Sequence, residues 1–154
     1  MGSFKDVVGH KDIIKYIQSS VENGQVGHAY ILNGERGSGK KMLASLFAMT
    51  LLCEKGGPEP CNVCHSCRQA ESGNHPDILR VTHEKPGTIS VDDIREQVND
   101  TVMVKPYQGP YKVYIIDHAE LMTPQAQNAL LKTLDKPPEY VVFFVLTENA
   151  VALL

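Results

Sequence analysis

The stretch from His28 to Lys41 constrains this chain more than any other. It reads His-Ala-Tyr-Ile-Leu-Asn-Gly-Glu-Arg-Gly-Ser-Gly-Lys-Lys. Tyr30, Ile31 and Leu32 form a short apolar run, and Gly34, Gly37, Ser38 and Gly39 lead into Lys40. A helical pattern, apolar on most of its circumference, then runs from Met42 to Leu52. Strand, glycine loop, lysine and helix is the order of a phosphate-binding P-loop. Glycines let backbone N–H groups crowd an anion without Cβ clashes, and the helix N-terminus adds partial positive charge. Gly34, Gly37, Ser38, Gly39 and Lys40 are therefore candidate phosphate ligands for ATP or ADP. The plainer alternative is a glycine turn that joins a strand to a helix.

The motif departs from its pattern at one position. The residue after the lysine is ordinarily Ser or Thr, whose hydroxyl binds Mg²⁺. Here it is Lys41, which cannot accept a metal. The loop can hold nucleotide phosphates with Lys41 as a further contact, its ammonium able to fill the metal position. Magnesium is not expected there.

A length of 154 residues suits one domain. No run approaches the roughly 18 apolar residues of a membrane span, and Met1 to Asp6 has no apolar signal core. A cytoplasmic protein is expected. The net charge of −3 gives no overall basic field, so strong autonomous binding to nucleic acid is not implied. The 4 cysteines fit either two disulfides or one metal site. A nucleotide loop argues for a reducing compartment and hence for metal.

Ile13, Ile17 and Val21 share one face of a helix that Asn23-Gly24 stops. Arg68–Ser72 can form a short helix, and Ile78–Val81 reads as a strand. Ser90 with Asp93 is an acidic variant of a capping box, after which Val91, Ile94, Val98 and Val102 repeat at helical spacing. Tyr111–Asp117 is a strand ending in an acid. Thr123-Pro124 starts a helix with Thr as N-cap. Ala126, Leu130, Leu131 and Leu134 are its expected apolar side. Val141–Leu146 is a continuous apolar strand with Thr147, Glu148 and Asn149 at its end. Strands that alternate with helices and lack a polar alternate predict a parallel sheet covered on both faces.

Asp117, at the end of a buried strand, can hold Mg²⁺ through water beside a P-loop; it can equally cap the next turn. A glutamate usually follows such an acid and orients the attacking water, but His118 stands here. Thr147 or Asn149 can meet the γ-phosphate from the next strand tip, or serve as plain caps. Cys61-x-x-Cys64-x-x-Cys67, with Cys53 upstream, has the spacing of a closed tetrahedral zinc shell. His65 could replace one sulfur, though Cys53 is the preferred fourth ligand. An iron–sulfur cluster or unligated thiols are the rivals. His10, His28, His75 and His83 read as isolated, hydrogen-bonded residues.

Taken together these residues carry a family resemblance. Gly34–Lys40, the cysteine insert after the P-loop helix, Glu71–Asp77, Ile115–Glu120 with Met122-Thr123, and Asn128–Leu134 before Pro137-Pro138 resemble bacterial DNA polymerase III clamp-loader subunits. The gamma/tau motor branch carries Ser or Thr after the P-loop lysine and Asp-Glu at the acidic strand. Lys41, His118 and the Ser72–Asp77 run resemble the delta-prime branch instead.

The resemblance implies an AAA+ P-loop domain over 1–154 with an inserted zinc module at 53–67. It implies a scaffold with little or no ATP hydrolysis, which works with gamma/tau and delta subunits to load the sliding clamp onto primed DNA. The alternative is an ATP-hydrolysing gamma/tau-type motor. The family's Ser-Arg-Cys finger, lid and collar lie beyond Leu154, and so does the fifth strand that flanks the P-loop strand. The implied strand order is 1-4-3-2, with strands near 28–33, 78–82, 111–117 and 141–147. The P-loop strand is then an exposed edge through which the fragment could self-associate.

Overall fold

The computed structural model describes residues 11–35 and 39–148. Gly37, Ser38, Asn149 and His10 lie outside the described residues. In chain order the elements are α1 (Lys11–Glu22), β1 (Ala29–Asn33), α2 (Lys40–Leu52), α3 (His65–Glu71), β2 (Ile78–Arg80), α4 (Val91–Ile94), β3 (Lys112–Ile116), α5 (Pro124–Asp135) and β4 (Val141–Thr147). A π-helical turn, Arg95–Asn99, continues α4, and a 3₁₀ turn, Ala119–Leu121, follows β3.

The strands form one parallel sheet, as their apolar runs predict, in the order β1-β4-β3-β2 that the family resemblance implies. Every residue of β3 and β4 is buried, which is why these strands need no polar alternate. Side chains alternate between two cores. Val142, Phe144 and Leu146 meet Leu43 and Phe47 of α2 and Ile17 of α1. Val141, Phe143 and Val145 meet Ile94, Val98 and Leu130 on the other face. On the first face Tyr30, Phe144 and Phe47 stack, with ring centroids 5.5 and 5.9 Å apart. Area burial and ring contacts of this kind dominate the stability of such a core.

The outer strands depart from the apolar-run expectation. In β1 only Leu32 is buried, and Ile31 is 57% exposed, because β1 has a neighbour on one side alone among the described strands. Among the described residues no helix is long and apolar enough to cross a membrane.

Two capping devices form as their residues imply. Asp93 N–H donates to Ser90 Oγ (3.1 Å) while Ser90 N–H donates to Asp93 Oδ2 (2.8 Å). Ala126 N–H donates to Thr123 Oγ1 (3.1 Å) ahead of Pro124. Three readings need correction. The 91–102 spacing is not one α-helix, since Asp100 N–H reaches back to Arg95 O (2.8 Å) and widens the turn. The short helix begins at His65 rather than Arg68. Leu131 is 44% exposed. The buried side of α5 takes Gln127 and Thr133 instead, because each has a partner there: Gln127 Nε2 donates to Met122 O (3.2 Å) and Asn99 Nδ2 to Thr133 Oγ1 (2.7 Å).

The loop before β3 is anchored from below. Asp77 is 1% exposed, and its carboxylate accepts from the N–H groups of Tyr107 (2.6 Å), Gln108 (2.9 Å) and Gly109 (2.8 Å). A Cβ at Gly109 would lie 2.6 Å from Leu52 Cδ2, so a larger residue there would force the Leu52 methyl to shift.

Candidate functional site

The site forms at the C-terminal ends of the parallel strands, where the crevice of an open α/β sheet lies. Gly39 opens α2 at φ +84°, a left-handed conformation that suits glycine. Lys40 is buried, and its Nζ donates to Gly34 O (2.6 Å) and Glu35 O (2.9 Å), holding these two residues past the end of β1 to the start of α2. Gly34 N–H donates to Thr147 O (3.1 Å), which fixes the loop's start to the tip of β4.

A cleft of about 370 Å³ lies between the start of α2 and the strand tips. Gly39, Lys40, Lys41 and Met42 line it together with Asp117, His118, Glu120, Leu146, Thr147 and Glu148. Gly39, Lys40, Lys41, Asp117 and Thr147 are thus brought together, with Gly34 joined to Thr147 beside them.

Glu120 and Glu148 also line this cleft, though neither was assigned a role from the sequence. The acid position after Asp117 is His118, which sits at φ +51°, a conformation rare outside glycine. Its backbone N–H donates to Asp117 Oδ1 (2.9 Å). The imidazole lies between two carboxylates, Nε2 3.8 Å from Asp117 Oδ2 and Nδ1 3.7 Å from Glu120 Oε2. The 3₁₀ turn then carries Glu120 back to the tip of β4. There Glu120 Oε1 accepts from Thr147 Oγ1 (3.0 Å) and from Glu148 N–H (3.1 Å). Burial opposes ionisation of Glu120. Backbone N–H groups, including that of Glu148, together with the Thr147 hydroxyl and His118 outweigh it and hold this carboxyl below the ordinary glutamate range. The cleft therefore has a carboxylate two residues past the position where His118 replaces one.

The cysteines gather at the other end of α2. Cys53 caps the helix, and the sulfurs of Cys53, Cys61, Cys64 and Cys67 all lie within 4.8 Å of one another. Backbone N–H groups point at these sulfurs: Cys61 N–H at Cys53 Sγ (3.4 Å), Cys64 N–H at Cys61 Sγ (3.3 Å) and Cys67 N–H at Cys64 Sγ (3.4 Å). Donors of this sort stabilise thiolates and orient them for a metal. The Val63 and Cys64 backbone N–H groups lower the Cys61 thiol to about 6, whereas burial raises that of Cys67. Four convergent soft donors with supporting N–H groups fit a tetrahedral metal ion. Cys53, and not His65, completes the set.

His75 is not isolated. It is buried, its Nδ1 accepts from Asp77 N–H (3.0 Å) and its Nε2 lies 3.0 Å from Ser66 Oγ. An accepting Nδ1 leaves the proton on Nε2, which donates to Ser66. Burial pushes the His75 pKa down, against the pull of Asp77. The imidazole so ties α3, and with it the cysteine segment, to the start of β2.

Comparison with known proteins agrees with this geometry. Residues 9–154 match the family described as DNA polymerase III, delta subunit. The tau/gamma subunit of DNA polymerase III from Haemophilus influenzae is 40% identical over 148 residues, covering 96% of this chain and 21% of that protein. The delta' subunit from Bacillus subtilis is 36% identical over 143 residues, covering 92% of this chain and 43% of that protein. A gamma subunit-related protein from Thermotoga maritima, of known crystal structure, superposes with a TM-score of 0.63 at 25% identity, covering 92% of this chain and 41% of that one. The chain thus spans well under half the length of each.

Proposed function

The chain belongs to the DNA polymerase III clamp-loader subunit family, and we propose that it is the P-loop domain of a delta-prime-type subunit. On this reading it is a scaffold that holds a nucleotide without hydrolysing it at motor rates. It works beside gamma/tau and delta subunits when the sliding clamp is placed on primed DNA. One observation carries the reading: the cleft that joins Lys40, Asp117 and Thr147 presents Lys41 and His118 where hydrolysis needs a metal-binding hydroxyl and a carboxylate. Phosphoryl transfer depends almost wholly on positioning and charge, so each loss costs orders of magnitude in rate. Residues 53–67 form an insert whose four thiolates hold a structural zinc ion.

A second reading, a hydrolysing gamma/tau-type motor, draws on one specific observation. Glu120 returns a carboxylate to the cleft, and the relatives include tau/gamma subunits. Turnover decides between the two. ATP hydrolysis by the full-length protein, alone and reconstituted with partner subunits, is expected to stay far below motor rates. A rate of roughly 1 s⁻¹ or more that Lys40→Ala abolishes rejects the scaffold.

A further inference from the structure

We propose that the cysteine module governs the exposed loop before β3: metal held by Cys53, Cys61, Cys64 and Cys67 fixes α3, and α3 fixes residues 107–109. The inference rests on the metal-holding part of the reading above.

The loop is not held by its own side chains. Met103, Val104 and Tyr107 are 77%, 51% and 79% exposed, so they bury little apolar area. Its shape comes from hydrogen bonds made beneath it, and its two ends are served separately. At the first end Lys112 Nζ donates to Thr101 O (2.5 Å) and Val104 O (3.0 Å). At the second, the Asp77 carboxylate accepts from the N–H groups of Tyr107, Gln108 and Gly109. Gln108 Nε2 also donates to Gln69 Oε1 in α3.

The second end leads back to the thiols. His75 accepts from the Asp77 N–H through Nδ1 and meets Ser66 Oγ through Nε2. Ser66 and Gln69 both belong to α3. Ser66 stands between Cys64, whose side chain caps α3, and Cys67 within it, and both cysteines belong to the cluster. Ser66, His75 and Asp77 are buried, so a partner that moves away leaves an unsatisfied group behind. Helix α3 has 7 residues, too few to persist without outside support. Ligation of Cys64 and Cys67 fixes its first turn, and loss of the metal frees Ser66 and Gln69 together. A metal site that merely closed its own segment would leave 107–109 unchanged.

The test is short-pulse hydrogen exchange of the full-length protein, loaded with zinc and then stripped by a chelator. Pro106 and Pro110 carry no N–H, so residues 106–110 report on 107–109 alone. Those amides should exchange about tenfold faster or more without metal, while β4 stays protected over the same pulse. Ser66→Ala leaves all four thiols in place and, with zinc bound, should speed the same amides at least about threefold. Coupling is reciprocal, so Asp77→Asn should weaken zinc binding by a similar factor, about tenfold, in a chelator competition. Leu130→Ala, a core truncation on the other face of the sheet, should leave zinc affinity within about twofold. Unchanged exchange at 107–109 in metal-free, folded protein overturns the proposal. Equal labelling of β4 overturns it too, since the module would then support the whole fold. It is likewise overturned if Ser66→Ala leaves the loop protected or if Asp77→Asn binds zinc as tightly as wild type. Failure to hold zinc at all, seen by metal analysis before exchange begins, removes the metal reading along with it.

Discussion

Helix α2 has a site at each end, and the two are built differently. Past its C-terminus, Cys53 meets Cys61, Cys64 and Cys67, all within 15 residues of sequence. Four like donors converge there, supported by local N–H groups. At its N-terminus the cleft needs the first turn of α2, the tip of β3, the 3₁₀ turn and the tip of β4. Its lining mixes lysines and carboxylates. The first site is closed and should act on stability. The second is open and should act on ligand choice.

The largest effect that could break this contrast comes from the cysteines. Cys67 is 0% exposed. Cys67→Ser, or removal of metal by a strong chelator, should cost at least about 3 kcal/mol and release close to one equivalent of zinc. Metal analysis with denaturant melts reads both. A metal-free protein of full stability refutes the closed site.

Asp77 lies next to that end of the helix and comes second. Asp77→Asn removes a buried charge-assisted acceptor from three N–H groups. About 2–3 kcal/mol of stability should go, with nucleotide selectivity unaltered. A loss under about 0.5 kcal/mol in urea unfolding would mean that the 107–109 loop holds itself.

A smaller effect appears as pH dependence. His75 in the folded protein titrates below its ordinary value near 6.5, so the unfolded chain takes up the proton first on acidification. Stability from this group is complete above about pH 6.5 and is lost as pH falls through the depressed folded value. His75→Gln should flatten the slope of melting temperature between neutral pH and pH 5. An identical slope in wild type and variant counts against a buried neutral imidazole.

At the open end Lys41→Thr should move stability by less than about 0.5 kcal/mol yet make nucleotide binding depend on Mg²⁺. Calorimetry with and without the metal checks this. Magnesium dependence already present in wild type would remove the main difference between this cleft and a motor's.

Much of the fold was legible in residues close together in the chain. The buried helix that Lys40 opens, the Ser90–Asp93 box, the Thr123-Pro124 start and the cysteine spacing are short-range patterns with short-range causes. Glu120 was not legible as a site residue. Its carboxylate gains meaning only from Thr147, 27 residues away, and from a left-handed His118 that turns the chain back. His75 looked isolated for the same reason, since Ser66 becomes its partner only when α3 packs near the start of β2. Leu131 fits the helical period of α5 but faces outward, because the partners of Thr133 and Gln127 lie on the side the helix buries.

By itself the sequence determined the element types, the two ends of α2 and the departures at Lys41 and His118, because backbone preference, glycine freedom and thiol spacing act within a few residues. Only the tertiary structure decided which charges share a cleft. Electrostatic interaction depends on distance through space, and the strand tips that set those distances are joined by the sheet rather than by adjacency along the chain.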